Sequence, residues 1–269
     1  MKIAIRHHTR YVYTPAASRA ALRLRLFPPQ FDTQHPLDWT VTINGQTIAP
    51  QHTAAFGEQE AVWTTREPQT ELSILASGTV ETKDAAGVVR GLQDCARPGV
   101  FLRTTPLTAL DPALSRLAEA ARREATLDTL HALCSLVADR VTYQANQTHS
   151  LTTAAEALAH GYGVCQDHAH VFIAAARAIG IPARYVMGYM ASSDDLHETH
   201  AWAEAFVPEL AAWVGFDPAN RRCPTEAYVR LGCGFDAAEA APVRGCVGPG
   251  AEEALTAAVD IAPVLAQEQ

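Results

Sequence analysis

Residues 163–180 read GVCQDHAHVFIAAARAIG. A turn bounded by glycines leads into Cys165, and an apolar run follows that closes at Gly180, with Pro182 just beyond. This punctuation predicts a helix that begins at or near Cys165 and stops at Gly180. A structural cysteine can sit anywhere in a core, so one at a helix start raises a chemical question. A free thiol titrates near ~8.5, and only the thiolate is a good nucleophile. The unpaired N–H groups and dipole of a helix start favour negative charge. An adjacent imidazole that takes the proton is the second device for activating a thiol.

Beyond this helix the apolar period changes to two. ARYVMGYM (183–190), HAWAEAFV (200–207) and AAWVGFD (211–217) read as strands, joined by SSDDLHET and by a turn around Pro208. If the last two pair as a hairpin, the start of one lies beside the end of the other. His200 and Asp217 are then neighbours. The carboxylate can hold one ring nitrogen and leave the other facing a thiol. Cys165, His200 and Asp217 therefore make up a nucleophile, a base and an orienting group.

Upstream, DPALSRLAEAARRE (111–124) opens with Asp111 as N-cap and Pro112 in the first turn. TLDTLHALCSLVADRV (126–141) and TTAAEALAHG (152–161) continue the helical spacing. Residues 1–100 are different in kind. IAIRHHTRYVY, LDWTVTING, AVWTTR and ELSILASGTVETKD are β-rich and separated by Pro, Gly and Asn. They predict an antiparallel β-sandwich over residues 1–104, with RPGVFLRTTPLT (97–108) as the linker. Residues 105–269 are expected to form an α+β core of helices on an antiparallel sheet, with strands near 226–232 and 253–263.

Composition narrows the classes. The chain has 269 residues, 48% hydrophobic and 19% charged, enough for a sizeable core. A net charge of −8 with no basic run argues against nucleic acid as partner. The longest apolar run, near 169–181, is too short and interrupted to span a bilayer, so no membrane role is expected. The N-terminal stretch alternates like a strand and lacks a signal-peptide segment, and the expected location is cytoplasmic. The six cysteines show no C-x-x-C pair, so most are expected as free thiols; a disulfide among Cys223, Cys233 and Cys246 stays open.

The motifs G-x-C, R-x-x-G-I-P-A-R-Y-V-x-G-Y, H-A-W-x-E and F-D-P-x-N occur here in that order, from Gly163 to Asn220. Together they resemble the core of the transglutaminase-like superfamily, which is similar to the papain-like thiol fold. The flanks resemble a bacterial subgroup with an N-terminal β domain, through HHTRYVY, LRLRLFPPQ and the closing segment after Tyr228. The resemblance implies a Cys-His-Asp triad at Cys165, His200 and Asp217. It also implies gene neighbours of the ATP-grasp-ligase and proteasome-like type as partners. Two stretches depart from the subgroup, FGEQE (56–60) and CGFDAAEAAP (233–242). Both lie outside the triad and bear on specificity or partner contacts.

Each remaining residue has a structural alternative. Asp167, in the first helical turn, can cap free N–H groups as readily as face a substrate. Gln166 and His168 follow Cys165 and are placed at the same cleft; His170 is expected on another face. Trp202 is a core residue or cleft wall, and Glu204 a structural partner for Arg184. For the oxyanion, the Cys165 backbone N–H is one donor. Tyr143, Gln144, Asn146 and Tyr162 remain alternatives for the second. Cys165, His168, His170, His197 and His200 are zinc-ligand types, but C-x2-H-x-H on a helix does not converge. SSDDLHE is too short for a calcium loop. No metal and no cofactor is expected.

The sequence thus points to a thiol enzyme that attacks the amide carbonyl of a peptide or protein. Hydrolysis is favoured over transfer to an amine, because transfer needs a water-poor channel. A binding module that keeps the shell without turnover is the rival, and an intact triad argues against it. An oligomer is compatible with all of this.

Overall fold

The computed structural model describes residues 1–191 and 199–264. The connection SSDDLHE, with His197, lies outside the described residues. In chain order the first elements are β1 (Lys2–Ala17), β2 (Ala20–Phe27), β3 (Gln34–Pro36), β4 (Thr40–Ile43), β5 (Gln46–Ile48), β6 (His52–Thr53), β7 (Gln59–Thr65), β8 (Gln69–Thr82) and β9 (Val88–Val89). Then come α1 (Pro112–Ala121), α2 (Thr126–Arg140), β10 (Thr142–Tyr143), α3 (Ala154–His160), β11 (Tyr162–Gly163) and α4 (Cys165–Ala178). The chain continues with β12 (Ala183–Met190), β13 (His200–Val207), β14 (Ala212–Phe216), β15 (Tyr228–Gly234), α5 (Ala237–Ala240), β16 (Val243–Val247) and β17 (Glu252–Pro263).

Two sheets form the N-terminal sandwich. One runs β17-β1-β8-β4-β5, with β3 also on β8, and the other runs β16-β2-β7-β6. Alternation explains why they face each other. Ile3 and Ile5 of β1, Leu22 and Leu24 of β2, and Leu72 and Ile74 of β8 meet in one buried core. The expected α+β architecture with a β-sandwich is therefore present.

The third sheet, β15-β12-β13-β14-β9, carries α4 on one face. The alanines of β13 (Ala201, Ala203, Ala205) and of α4 (Ala174, Ala175, Ala176) are small enough to let helix and sheet approach closely. On its other side the sheet sends Tyr189, Val229 and Leu231 into the sandwich core. The site is thus built on a sheet held from both faces.

The helix ends follow their sequence signals. The Asp111 side chain accepts from Leu114 N at 2.7 Å, and Thr153 and Glu156 close a capping box on α3. Gly161 and Gly180 take positive φ, 74° and 82°, where a side chain would be strained.

Two features differ from the reading of the sequence, and a third answers a point it left open. Of the C-terminal strands only β15 stays with the core, on β12: β16 pairs with β2, and β17 pairs with β1 from Ile3↔Pro263 to Thr14↔Glu252. The segment 97–108 is more than a linker. It folds as two 3-10 turns, and Phe101 is buried against Phe56, Trp213 and Phe235. All six cysteines are free thiols, so Cys223, Cys233 and Cys246 are not cross-linked.

Candidate active site

Cys165 stands at the first position of α4, where backbone N–H groups have no partner within the helix. The turn in front of it is held by Asp167. Its Oδ2 accepts from Val164 N at 2.8 Å and from Thr148 Oγ1 at 2.7 Å. A Cβ on Gly163 would lie 2.6 Å from both the Cβ and the Oδ2 of Asp167. The glycine of G-x-C is therefore a matter of space: the carboxylate folds back over it. Asp167 is a buried cap and does not reach the cleft.

His200 opens β13 beside both expected partners. Its Nε2 lies 2.7 Å from Asp217 Oδ2, and Cys165 is near enough to help raise its pKa. The Asp217 contact at Nε2 leaves Nδ1 as the nitrogen for the thiol. The β13–β14 ladder ends at Ala203↔Phe216, so Asp217 stands just past the last rung and reaches His200 with its side chain.

Two residues without an assigned role in the sequence complete the arrangement. Tyr228 Oη and Asn220 Nδ2 each donate to Asp217 Oδ2 at 2.7 Å. Asn220 belongs to the F-D-P-x-N motif, so a signal for it existed. Tyr228 comes from β15, eleven residues on, and no local pattern marks it. Burial alone would raise the Asp217 pKa, but His200, Asn220 and Tyr228 hold it below the ordinary carboxylate value. Burial would likewise lower His200, yet Asp217 and Cys165 hold it up at about 10. Burial and the Asp217 charge raise the Tyr228 pKa, so it remains a phenol donor.

Trp202 is buried and stacks on His200, with ring centroids 6.2 Å apart and planes 25° apart; Tyr228 meets it edge-on. The indole fits because Gly188 on β12 has no side chain, and a Cβ there would be 2.8 Å from Trp202 Cη2. Trp202 is a wall that fixes the imidazole, and it does not line the cleft. Glu204 accepts from Arg184 Nε at 2.7 Å, as expected, and from Arg230 Nε at 3.0 Å.

The cleft beside Cys165 is a cavity of ≈ 460 Å³, lined by Gln166, Tyr185, Met187, Thr199, His200 and neighbours. Gln166 is thus at the cleft, as placed from the sequence. Tyr162 is not: it stacks on His160 at 5.4 Å. Nor is His168, whose ring nitrogens face the carbonyls of Val164 at 2.9 Å and Val141 at 2.7 Å, pinning α4 to the end of α2. His170 is buried on another face and accepts from Ala237 N at 3.1 Å. Tyr143, Gln144 and Asn146 do not line the cavity either. The divergent segment CGFDAAEAAP does, through Ala237, Ala238, Ala241 and Pro242.

The chain is similar to several known proteins. An uncharacterised protein of Mycobacterium leprae is 28% identical over 260 residues, covering 91% of this chain and 92% of that protein. An uncharacterised Mycobacterium tuberculosis protein is 27% identical over 291 residues, covering 96% and 92%. A crystal structure of a Cytophaga hutchinsonii protein, proposed to be a cysteine protease, superposes with TM-score 0.74 at 23% identity, covering 100% of this chain and 92% of that one. That likeness establishes the shared fold. Residues 3–81 match the bacterial transglutaminase-like N-terminal region, and residues 115–218 match the transglutaminase-like superfamily core. The chain therefore carries a transglutaminase-like superfamily core over residues 115–218, behind a bacterial transglutaminase-like N-terminal region over residues 3–81.

Proposed function

We propose that this chain is a thiol enzyme that acts on the amide or peptide carbonyl of a peptide or protein substrate. The observation that carries the reading is the line Cys165–His200–Asp217, with the carboxylate buried and saturated by donors. An imidazole held at about 10 is protonated at neutral pH, the form that stabilises an adjacent thiolate.

In the first half-reaction Cys165 Sγ bonds to the carbonyl carbon, and the C=O pair moves onto oxygen. The Cys165 backbone N–H, in the first turn of α4, is a donor for that oxyanion. The intermediate collapses with cleavage of the C–N bond, and His200 gives its proton to the leaving amine. A thioester remains. Water then attacks it, His200 takes the water's proton, the C–S bond breaks, and the acid is released with the thiol regenerated.

Hydrolysis is proposed over amine transfer, since the cleft of ≈ 460 Å³ leaves room for water beside the thioester. The test is mass spectrometry of peptide amides incubated with the protein, with and without a primary amine. The expected products are the acid and the released amine, whose masses together equal the substrate plus water, and they should be absent with Cys165→Ala. Products carrying the amine would move the assignment to a transglutaminase. If wild type and Cys165→Ala both leave every amide intact, the enzymatic reading falls.

A further inference from the structure

The cleft does not end at Cys165. Met187, Thr199, Ala241 and Pro242 line it and also line a second cavity of ≈ 410 Å³. The far wall of that cavity belongs to the N-terminal sandwich. It is one face of the β1–β17 ladder, formed by the cross-strand pairs His7↔Val259, Thr9↔Ala257 and Tyr11↔Leu255. The return of β17 to the first sheet is therefore what builds the wall.

The chemistry of this wall is uniform. The chain carries a net charge of −8, yet among the described residues no Asp, Glu, Lys or Arg lines either cavity. His7 and Thr9 on this wall already have partners. His7 Nδ1 is 3.0 Å from Tyr189 Oη, and His7 Nε2 is 3.2 Å from Thr9 Oγ1. Burial and then the nearby His8 lower the His7 pKa to about 4, so the imidazole is neutral at physiological pH. A charged side chain entering here would meet no formal counter-charge among the described lining residues. An apolar one would gain by leaving water. The volume falls within the usual range for a ligand pocket.

We propose that the β1–β17 face is a substrate subsite, in which the N-terminal domain binds an uncharged apolar side chain of an extended peptide whose reacting carbonyl lies at Cys165. The inference rests on the reading of the site as a peptide-handling thiol enzyme and adds the side-chain class it selects. It gives the N-terminal domain a part in recognition.

The experiment uses the full chain as Cys165→Ala and fluorescein-labelled, glycine-based heptapeptides with Leu, Phe, Asp or Lys at each position in turn. Anisotropy is expected to show one position where Leu or Phe binds at least ~10-fold tighter than Asp or Lys. Adding Ala257→Trp, which fills the cavity from an exposed strand position, should remove that preference. Adding Thr256→Trp, on the opposite face of β17, should preserve it. Leu255→Asp should shift the preference at that position towards Lys, and it serves as the second probe if Ala257→Trp folds poorly. The absence of any position-dependent preference would overturn the proposal, as would a preference that survives both cavity variants. Turnover of the same peptides by wild type separates the two readings. Peptides bound selectively but never cleaved or transferred would remove the enzymatic reading and leave the subsite. Peptides turned over without side-chain preference would remove the subsite alone.

Discussion

The phenol of Tyr228 and the imidazole of His200 share one carboxylate oxygen, Asp217 Oδ2, each at 2.7 Å. One strand therefore supplies the base and another braces the group that orients it. Because Asp217 accepts from Asn220 as well, its charge is stabilised without solvent. This arrangement sets the response of the site to substitution.

Asp217→Asn should lower activity on peptide amides by ~10²–10⁴-fold, because the amide both removes the charge and offers a donor where His200 needs an acceptor. Tyr228→Phe keeps the ring against Trp202 and removes one hydrogen bond to a charged group, a loss of about 10–100-fold. With one donor fewer, the Asp217 pKa rises and the acid limb of the kcat/KM profile moves to higher pH. A pH profile of Tyr228→Phe that superposes on wild type would remove Tyr228 from this role.

Alkylation distinguishes an activated thiol from five ordinary ones. At pH 6, iodoacetamide should modify Cys165 at least ~10-fold faster than the exposed Cys95 and Cys246. Cys134 should stay unmodified, since burial pushes its thiol up to about 12. His200→Ala should bring Cys165 down to the rate of the exposed pair. Peptide mapping by mass spectrometry reads all six sites at once, and uniform labelling would contradict an activated Cys165.

The pH dependence of stability has a definite sign. The His200 pKa is raised from 6.5 to about 10 on folding, so its stabilisation is complete below 6.5 and is lost as pH rises through 10. The Asp217 pKa is lowered from 3.8, so its contribution is present above 3.8 and is lost as pH falls below it. The Tm difference between wild type and His200→Ala should therefore be largest between those limits, near pH 4 to 6.5, and shrink towards pH 10. A difference that grows with pH would reverse the assignment.

Two glycines should be intolerant for reasons of space. A Cβ on Gly163 meets the Asp167 side chain at 2.6 Å, and Gly163→Ala should cost about 1–3 kcal/mol as the cap in front of Cys165 is displaced. At Gly188 the obstacle is the backbone oxygen of Val229 at 2.0 Å, which cannot rotate away, so Gly188→Ala should cost more. Urea unfolding of the two variants checks the order. Equal stability of Gly188→Ala and wild type would refute the packing argument for Trp202.

Local chemistry made much of this molecule legible in the sequence. Asp111, Thr153, Gly161 and Gly180 mark helix ends through bonds and dihedrals that involve only their own neighbours. The change of period after Gly180 marked the passage from α4 to β12 and β13 for the same reason. Cys165, His200 and Asp217 can be proposed from the sequence because each stands at an element end, and element ends are locally encoded. What local pattern cannot encode is the choice of partner. Asp167 and His168 are beside Cys165 in sequence but point into the turn and the core, since helix geometry separates adjacent side chains. Tyr228 reaches Asp217, and β17 pairs with β1 some 250 residues away, through contacts that exist only once the sheets have assembled. An alternating strand exposes the same edge to any neighbour; packing and twist select the one it pairs with. The proposed reacting groups are therefore legible along the chain, whereas the second brace on Asp217 and the apolar wall beside the cleft are decided by the tertiary structure, because both are made of residues that only folding brings together.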